Sequence, residues 1–175
     1  MVAKKSSLSR PNIVFHPPLA VTGLRIGEAI AIKWSDFEGD VLHVQRRMYD
    51  GKIDSTKSRD SERRIPIPPA LLERMKTLDK TGEWIFHGRR GTALNPGNAL
   101  KRYIRPVANK LKIQLGGWHD FRHTAATSLL RAGHGPKVVS ELLGHSDVAI
   151  TLRTYDHVES DAFRAPLNQA ADQLL

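Results

Sequence analysis

The sequence predicts an α+β domain that is predominantly α-helical and carries a small antiparallel three-stranded sheet. Strand-like alternation and a hairpin signal are confined to residues 41–67, whereas the chain from residue 68 onward repeats apolar residues at helical spacing between Pro and Gly. The 175 residues, of which 40% are hydrophobic, suffice for one domain with its own core. We therefore expect a single domain over residues 19–175, preceded by an irregular basic segment at residues 1–18.

The segment before the sheet is expected to form one helix. Residues 1–18 contain three prolines and little periodicity, which favours irregular structure. Apolar residues then recur at helical spacing from about residue 19 to residue 32. We expect the buried positions of this helix to include Leu24, Ala29 and Ile32.

The predicted sheet is a meander within residues 41–67. Residues 41–45 (VLHVQ) and 64–67 (RIPI) alternate apolar and polar side chains, as half-buried strands do. Between them, Asp50-Gly51 is typical of a tight hairpin turn, because both residue types tolerate positive φ. The pattern therefore predicts three antiparallel strands joined in sequence order.

Prolines, glycines and short polar residues mark the helices of the second half. Proline suits the first turn of a helix, Asn and Asp cap its start, and glycine ends it. Helix starts are predicted near Pro69, Asn95, Asp120, Pro136 and Asp147. Gly133 and Gly144 are expected to end the third and fourth of these helices, and a last amphipathic helix is predicted over residues 161–175.

Charge and composition narrow the class of protein. The 27 Lys and Arg residues against 18 Asp and Glu give a net charge of +9, which favours a polyanionic partner such as nucleic acid. Cys is absent, which excludes disulfides, thiol catalysis and Cys-ligated zinc. The N-terminus lacks the apolar stretch of a secretory signal, and no apolar run is long enough to span a membrane. We expect a cytoplasmic protein.

His119 and Arg122 lie three residues apart in the segment WHDFRHTAAT, at a predicted helix start. This spacing places both side chains near one helix face, where an imidazole can exchange a proton while a guanidinium binds an anion. The alternative is a capping histidine beside a surface arginine, which an isolated H-x-x-R pattern favours. The longer segment is much more specific than that pattern.

Arg25, in the segment TGLRIGEAIAIKW, is the second candidate for anion binding. An arginine on an amphipathic helix is normally solvated or paired with a carboxylate, and Glu28 follows three residues later. The two interpretations are compatible, because a supporting carboxylate can orient a guanidinium that binds phosphate. Arg25 and Arg122 together could clamp both non-bridging oxygens of a phosphodiester and stabilise charge in the transition state.

His145 and Tyr155 occupy the segment ELLGHSDVAITLRTY. His145 follows a glycine at a predicted helix end, where its imidazole could cap the helix or bond to a phosphate oxygen. A tyrosine at a helix end is more often an anchored core residue, and a phenol with a pKa near ~10 needs bases or cations nearby to act as a nucleophile. The spacing from His145 to Tyr155, across a short capped helix, favours the nucleophile.

Basic residues ahead of the last predicted strand offer further candidates. Lys57 lies in a predicted hairpin that could deliver its ammonium to a leaving oxygen as a general acid, although an exposed lysine is usually only solvated. Arg59, Arg63 and Arg64 compete with Lys57 for that role or contact the DNA backbone.

The three quoted segments resemble the tyrosine recombinase (phage integrase) family over about residues 19–163. The matching motifs are T-G-L-R, H-D-F-R-H-T, L-L-G-H-S and a downstream T-Y. The resemblance implies the DNA breaking-rejoining fold of tyrosine recombinase catalytic domains. It also implies a site-specific DNA recombinase or integrase that works through a 3′-phosphotyrosyl intermediate. No cofactor, metal or ATP is implied, since the covalent link conserves the phosphodiester energy.

The resemblance further implies a role for each candidate residue and for the last helix. The helix at residues 161–175 would dock on a neighbouring protomer of a tetramer on double-stranded DNA, at the nucleoid of a prokaryote. Tyr155 would be the nucleophile, and His119 would act as acid and base toward it. Arg25 and Arg122 would bind the scissile phosphate, which His145 would also hydrogen-bond. Lys57 would protonate the leaving 5′ oxygen, and Glu28 would support the site.

Two alternatives stay open from the sequence. One is a non-catalytic DNA-binding fragment, because family members usually carry a separate helical DNA-binding domain and only about twenty residues precede T-G-L-R here. The other is nicking and closing like that of a type IB topoisomerase, which uses the same chemistry without strand exchange.

Overall fold

The computed structural model describes residues 16–55, 62–88 and 91–144. It is a predominantly helical α+β structure with a three-stranded antiparallel sheet, which confirms the predicted fold class. No helix in these ranges is long and apolar enough to cross a membrane. The predictions for Lys57, Arg59, His145, Tyr155, the helix capped by Asp147 and the helix at residues 161–175 lie outside the described residues.

The first helical region consists of two short helices, so the prediction of one helix over residues 19–32 is wrong. Helix α1 covers His16–Thr22, beginning inside the segment expected to be irregular, and α2 covers Ile26–Ala29. Gly23 between them has a φ of +64°, a left-handed conformation that ends an α-helix and that glycine adopts without steric cost. The expected burial is confirmed for Leu24, Ala29 and Ile32.

The sheet differs in strand order from the predicted meander. Strands β1 (Phe37–Glu38), β2 (Val41–Val44) and β5 (Arg63–Pro66) pair antiparallel in the order β1-β2-β5. Strands β3 (Arg46–Tyr49) and β4 (Lys52–Ser55) form a separate two-stranded hairpin. The chain therefore leaves the three-stranded sheet after β2 and returns to it at β5.

The predicted hairpin turn lies between β3 and β4. Asp50 and Gly51 have φ values of 48° and 72°, which are the two positive φ angles that a type I′ turn requires.

Gln45 alone separates β2 from β3. In the three-stranded sheet, Arg63 is the partner of Val44.

The helices after residue 68 begin and end close to the positions that prolines, polar capping residues and glycines predicted. Helices α3 (Pro69–Lys76), α4 (Pro96–Ala99) and α7 (Pro136–Leu143) each begin at a proline, and α6 covers His119–Arg131. Asn95 caps α4, because its side chain accepts a hydrogen bond from the backbone N–H of residue 98 at 2.8 Å. The predicted starts near Pro69, Asn95, Asp120 and Pro136, and the predicted end at Gly144, are thereby confirmed to within two residues.

A π-helical turn, Leu100–Ile104, connects α4 to α5 (Arg105–Lys110). Pro106 has no N–H to donate to the carbonyl four residues before it, so regular α-helical bonding is interrupted here. The wider turn lets the Arg105 N–H bond to the Leu100 carbonyl.

Helix packing brings three distant segments together. The main core lies between the sheet, α1 and α3, and a smaller apolar cluster joins α6 to α7. Helix α1 also packs against α6. The end of α1 consequently lies beside both α6 and the end of α7. The side chains of the smaller cluster are Ala126, Val139 and Leu143.

Candidate active site

Gly23 lies where α1, α6 and α7 meet. A Cβ added at this position would lie 2.3 Å from Leu143 Cδ2 and 3.4 Å from Ala125 Cβ. Only glycine combines this close approach with the left-handed backbone. Because the helix stops here, the Gly23 carbonyl is available to accept a hydrogen bond of 2.7 Å from Arg122 Nη1.

Arg122 links the T-G-L-R segment to the α6 motif. Its side chain is buried, and its bond to Gly23 spans 99 residues of sequence. His119 lies one turn earlier, at the first residue of α6, and is exposed. Two segments that were recognised separately in the sequence are thus adjacent in the fold.

Arg25 begins α2 in an extended conformation and turns its side chain onto Glu28. The Arg25 Nη1 donates to Glu28 Oε1 at 2.9 Å, and the Arg25 backbone N donates to Oε2 at 2.9 Å. The Glu28 side chain is 4% exposed and that of Arg25 is 41% exposed. A buried carboxylate therefore orients a guanidinium that still faces solvent.

The side chain of Arg63, which was predicted to compete with Lys57 or to contact the DNA backbone, faces the protein interior. Its side chain is 8% exposed because alternation along β5 places it on the same face as the core residue Ile65. The guanidinium donates to Glu28 through Nη2 at 2.8 Å and through Nη1 at 3.2 Å. Its Nε donates to the Leu142 carbonyl at 2.8 Å. This forked geometry matches the two oxygens of a carboxylate.

Both arginines bond to the C-terminal end of α7. The last carbonyls of a helix have no partner inside it, and cations near that end interact favourably with the helix dipole. Arg63 binds the Leu142 carbonyl, and Arg25 Nη2 donates to the Gly144 carbonyl at 3.0 Å. Gly144 has a φ of 69°, and a Cβ there would lie 2.8 Å from Arg63 Nη1. His145 is the next residue of the chain.

The Glu28 carboxylate is stabilised in its charged form. Burial by itself would raise the pKa of Glu28. The hydrogen bonds and charge of Arg63, together with the backbone N–H and charge of Arg25, outweigh that effect and hold the pKa of Glu28 below its ordinary value of 4.5. Glu28 is therefore an anion at neutral pH and can orient both guanidiniums.

The loop before α6 is fastened on either side of His119. The Trp118 indole donates a hydrogen bond of 3.0 Å to a backbone carbonyl on α4. The Asp120 carboxylate accepts a bond of 2.7 Å from the Gly116 backbone N. Asp120 was predicted to cap α6, but it binds the preceding loop and the helix begins one residue before it. These contacts fix the backbone that carries His119.

Arg64 lies on the face of β5 opposite to Arg63. Its side chain is 62% exposed and its Nη2 lies 2.7 Å from a carboxylate oxygen of Glu38. This exposure is compatible with the predicted DNA contact, which stays a prediction.

The described site suits the binding of an anion. Arg25, Arg63 and Arg122 bring three positive charges to the corner at Gly23, against the single negative charge of Glu28. Among residues 16–55, 62–88 and 91–144, no group of three or more His, Asp and Glu side chains could hold a metal ion.

A local run of positive charge was missed when charge was counted over the whole chain. No Asp or Glu occurs from residue 84 to residue 119, a stretch that contains seven Lys and Arg residues. Five of them are exposed and form no ion pair with a carboxylate of the described chain. We refer to these five as the basic segment: Lys101, Arg102, Arg105, Lys110 and Lys112. A local charge count would have found them.

The chain belongs to the phage integrase family, whose sequence model matches residues 3–161. This membership confirms the resemblance that the T-G-L-R, H-D-F-R-H-T and L-L-G-H-S motifs indicated. The match includes the segments outside the described residues that contain Lys57, His145 and Tyr155.

Several named tyrosine recombinases are similar in sequence. The chain is 32% identical over 169 residues to the tyrosine recombinase XerC-like protein of Caldanaerobacter subterraneus, covering 78% of this chain and 43% of that protein. It is 32% identical over 150 residues to tyrosine recombinase XerC of Rhizobium meliloti, covering 79% of this chain and 42% of that protein. The chain therefore spans less than half the length of these relatives.

Solved structures share the fold. The Tn1549 transposon integrase in complex with a circular intermediate DNA aligns with a TM-score of 0.75 and 24% identity, over 89% of this chain and 57% of that one. The XerA recombinase aligns with a TM-score of 0.65 and 25% identity, over 91% of this chain and 57% of that one. These alignments confirm the tyrosine recombinase catalytic fold.

Proposed function

We propose that this chain is the catalytic part of a site-specific DNA recombinase or integrase that cuts and rejoins strands through a 3′-phosphotyrosyl intermediate. The observation that carries the proposal is that Arg122 bonds to the Gly23 carbonyl, two residues before Arg25, while Arg25 bonds to the Gly144 carbonyl. His119 lies one helical turn before Arg122 on α6. Glu28 supports this corner by orienting Arg25. Membership of the phage integrase family supports the reaction class.

In the proposed reaction, the phenolic oxygen of Tyr155 bonds to the scissile phosphorus while the bond from phosphorus to the 5′ oxygen breaks. Arg25 and Arg122 bind the two non-bridging oxygens, on which charge develops in the transition state. His119 accepts the phenolic proton, and Lys57 donates a proton to the leaving 5′ oxygen.

The proposed return step uses the same groups in reverse. A 5′-hydroxyl of a second strand attacks the phosphotyrosine, and the tyrosine leaves with a proton from His119. His145, which follows the Gly144 carbonyl held by Arg25, hydrogen-bonds the phosphate. The number of phosphodiester bonds is conserved, so the proposed reaction consumes no ATP. The reaction is also proposed to use no metal ion, because Arg25 and Arg122 supply the positive charge at the phosphate.

The proposed partner is double-stranded DNA. The basic segment, together with Arg59 and Arg64, supplies cations for phosphates that flank the scissile one. The helix at residues 161–175 is proposed to dock on a neighbouring protomer within a tetramer on DNA. The proposed location is the cytoplasm of a prokaryote, at the nucleoid.

Covalent trapping tests the proposed function. The protein is mixed with a pool of nicked duplexes of randomised sequence, from which the released end diffuses away, and is run on denaturing gels beside Tyr155→Phe. We expect a protein–DNA band that disappears in the variant while duplex binding is retained.

Each other result selects an alternative. A band that persists in Tyr155→Phe rules out Tyr155 as the nucleophile. Salt-sensitive duplex binding without any band for the wild type supports a non-catalytic DNA-binding fragment. Relaxation of supercoiled plasmid without recombinant products supports nicking and closing alone.

A further inference from the structure

Arg63 joins two parts of the candidate site that lie far apart in the sequence. Three of its bonds, two to Glu28 at 2.8 and 3.2 Å and one to the Leu142 carbonyl at 2.8 Å, connect β5 to α2 and to the end of α7. Glu28 is the carboxylate that orients Arg25, and the end of α7 leads directly to His145. One buried guanidinium therefore contacts the supports of two residues that are proposed to bind the phosphate.

The charges in this cluster favour an anion at Arg25. Glu28 lies between two guanidiniums, so Arg25, Glu28 and Arg63 together carry one net positive charge. Arg63 is 8% exposed and Arg25 is 41% exposed, so Arg25 is the member that a phosphate can reach. Without Arg63, Glu28 would neutralise Arg25 alone and weaken its attraction for phosphate.

The position does not need a charge for packing. A buried ion pair is often no more stabilising than apolar residues of similar volume, because removing charges from water is costly. The bonds of Arg63 are better explained by the geometry they fix between Arg25 and the backbone before His145.

We propose that Arg63 is a positioning residue for DNA cleavage. Arg63 partly neutralises the Glu28 carboxylate, so the positive charge of Arg25 stays available to the scissile phosphate. It also fastens the end of α7, the segment that directly precedes His145 in the sequence. This proposal rests on the proposed function and concerns the same site.

The test compares Arg63→Lys with the wild type. Lysine keeps the positive charge but presents a single ammonium group, so it cannot hold both oxygens of Glu28 and the Leu142 carbonyl together. We expect the rate of covalent adduct formation at saturating nicked duplex to fall about 10–100-fold, because small misplacements of reacting groups cause losses of this size. Duplex affinity should change little, because most of it comes from other phosphate contacts.

Arg46→Lys is the matched control. Arg46 also forms an ion pair with a buried carboxylate, that of Asp36, and also donates to a backbone carbonyl, that of Ala31. Among the described residues, the hydrogen bonds and the ion pair of the Arg46 side chain go to Asp36 and Ala31 and not to Arg25 or α7. We expect Arg46→Lys to lower the melting temperature without changing the cleavage rate of the folded protein.

Two further measurements separate positioning from a loss of stability. In an Arg25→Ala background, Arg63→Lys should lower the cleavage rate by a clearly smaller factor than in the wild type, because part of its effect acts through Arg25. Hydrogen exchange of the backbone amides at residues 141–145 should become faster in Arg63→Lys and stay unchanged in Arg46→Lys. This second measurement needs neither DNA nor catalysis.

The outcomes are distinct. A slower cleavage rate and faster exchange in Arg63→Lys alone support the proposal. Equal effects in Arg63→Lys and Arg46→Lys, or no effect in either, overturn it. If the wild type forms no adduct, the proposed function fails. In that case, unchanged amide hydrogen exchange in Arg63→Lys overturns the positioning role as well. Faster amide hydrogen exchange in that variant still upholds the anchoring of α7.

Discussion

Two buried carboxylates in this protein have the same local setting and different surroundings. Glu28 is the third residue of α2, and Asp36 is the third residue of the short 3-10 helix Trp34–Asp36. Each carboxylate accepts a hydrogen bond, of 2.9 and 2.8 Å, from the backbone N–H of the residue just before its helix. Each also binds a guanidinium from a strand, Arg63 for Glu28 and Arg46 for Asp36. The first half of the chain therefore contains this arrangement twice: a buried carboxylate that binds both a backbone N–H and an arginine from a strand.

The two clusters differ in how far their bonds reach along the chain. The side-chain bonds of Arg46 span 10 residues to Asp36 and 15 residues to Ala31. Arg63 reaches 79 residues to Leu142, and Arg25 reaches 119 residues to Gly144. The Asp36–Arg46 cluster links residues that are close in the sequence. The Glu28–Arg63 cluster instead joins three distant segments around the partly exposed Arg25. Of these two carboxylate–arginine pairs, the one at the candidate site is the one that also binds the backbone of a segment about 80 to 120 residues away.

The largest contrast is expected between Arg25→Ala and Arg46→Ala. Arg25 is proposed to donate to a phosphate oxygen, so its removal should lower the cleavage rate by ~10²–10³-fold, because such a donor acts where charge develops in the transition state. Arg46→Ala should instead lower the melting temperature, since it leaves Asp36 buried without its guanidinium. Single-turnover trapping and thermal unfolding of both variants measure the two effects. Equal rates in the two variants would contradict the functional distinction.

A smaller contrast is expected between Gly144→Ala and Gly39→Ala. Both glycines have positive φ, 69° and 63°, so both variants incur the left-handed penalty of about 1 kcal/mol. A Cβ at Gly39 meets nothing within 4 Å, whereas one at Gly144 lies 2.8 Å from Arg63 Nη1. Denaturant unfolding should therefore show a greater loss of stability for Gly144→Ala. Equal losses would mean that Arg63 moves aside freely.

The smallest expected effect is the acid dependence of stability contributed by Glu28. Its pKa is lowered in the folded state, so its charged form stabilises the fold above about pH 4.5, and this contribution is lost as the pH falls through the folded pKa. The stability difference between wild type and Glu28→Gln should therefore be full at neutral pH and shrink in acid.

Denaturant unfolding across this pH range provides the measurement. Glu38→Gln, which removes a carboxylate that is 70% exposed, is the control for a general change of charge. A difference between wild type and Glu28→Gln that stays constant from neutral pH into acid would contradict the role of the ionised carboxylate.

Features that depend on neighbouring residues were predictable from the sequence. Pro69, Asn95 and Pro136 mark helix starts because a missing N–H or a short side-chain oxygen acts within one turn. The turn at Asp50-Gly51 was predictable for the same reason, since its φ angles are set by two residues. The motif segments of the site also follow from local sequence through the family resemblance.

Features that depend on distant neighbours were not predictable. The break at Gly23 is required by Leu143, which lies 120 residues later and leaves no room for a Cβ. The apolar pattern on both sides of Gly23 still favours one helix. The burial of Arg63 depends in the same way on the Leu142 carbonyl, so its charge alone suggested a surface position.

The long reach of the Glu28–Arg63 cluster has a consequence for the order in which the protein matures. Bonds between residues far apart in sequence form late, because the intervening loop must be closed first. On the ribosome, Arg25, Glu28 and Arg63 emerge before α7 and must wait for its carbonyls. We therefore expect a nascent or prematurely terminated chain to lack the ordered cluster of Arg25, Glu28 and Arg63. If the proposed function holds, such a chain would not cleave DNA before its synthesis is complete.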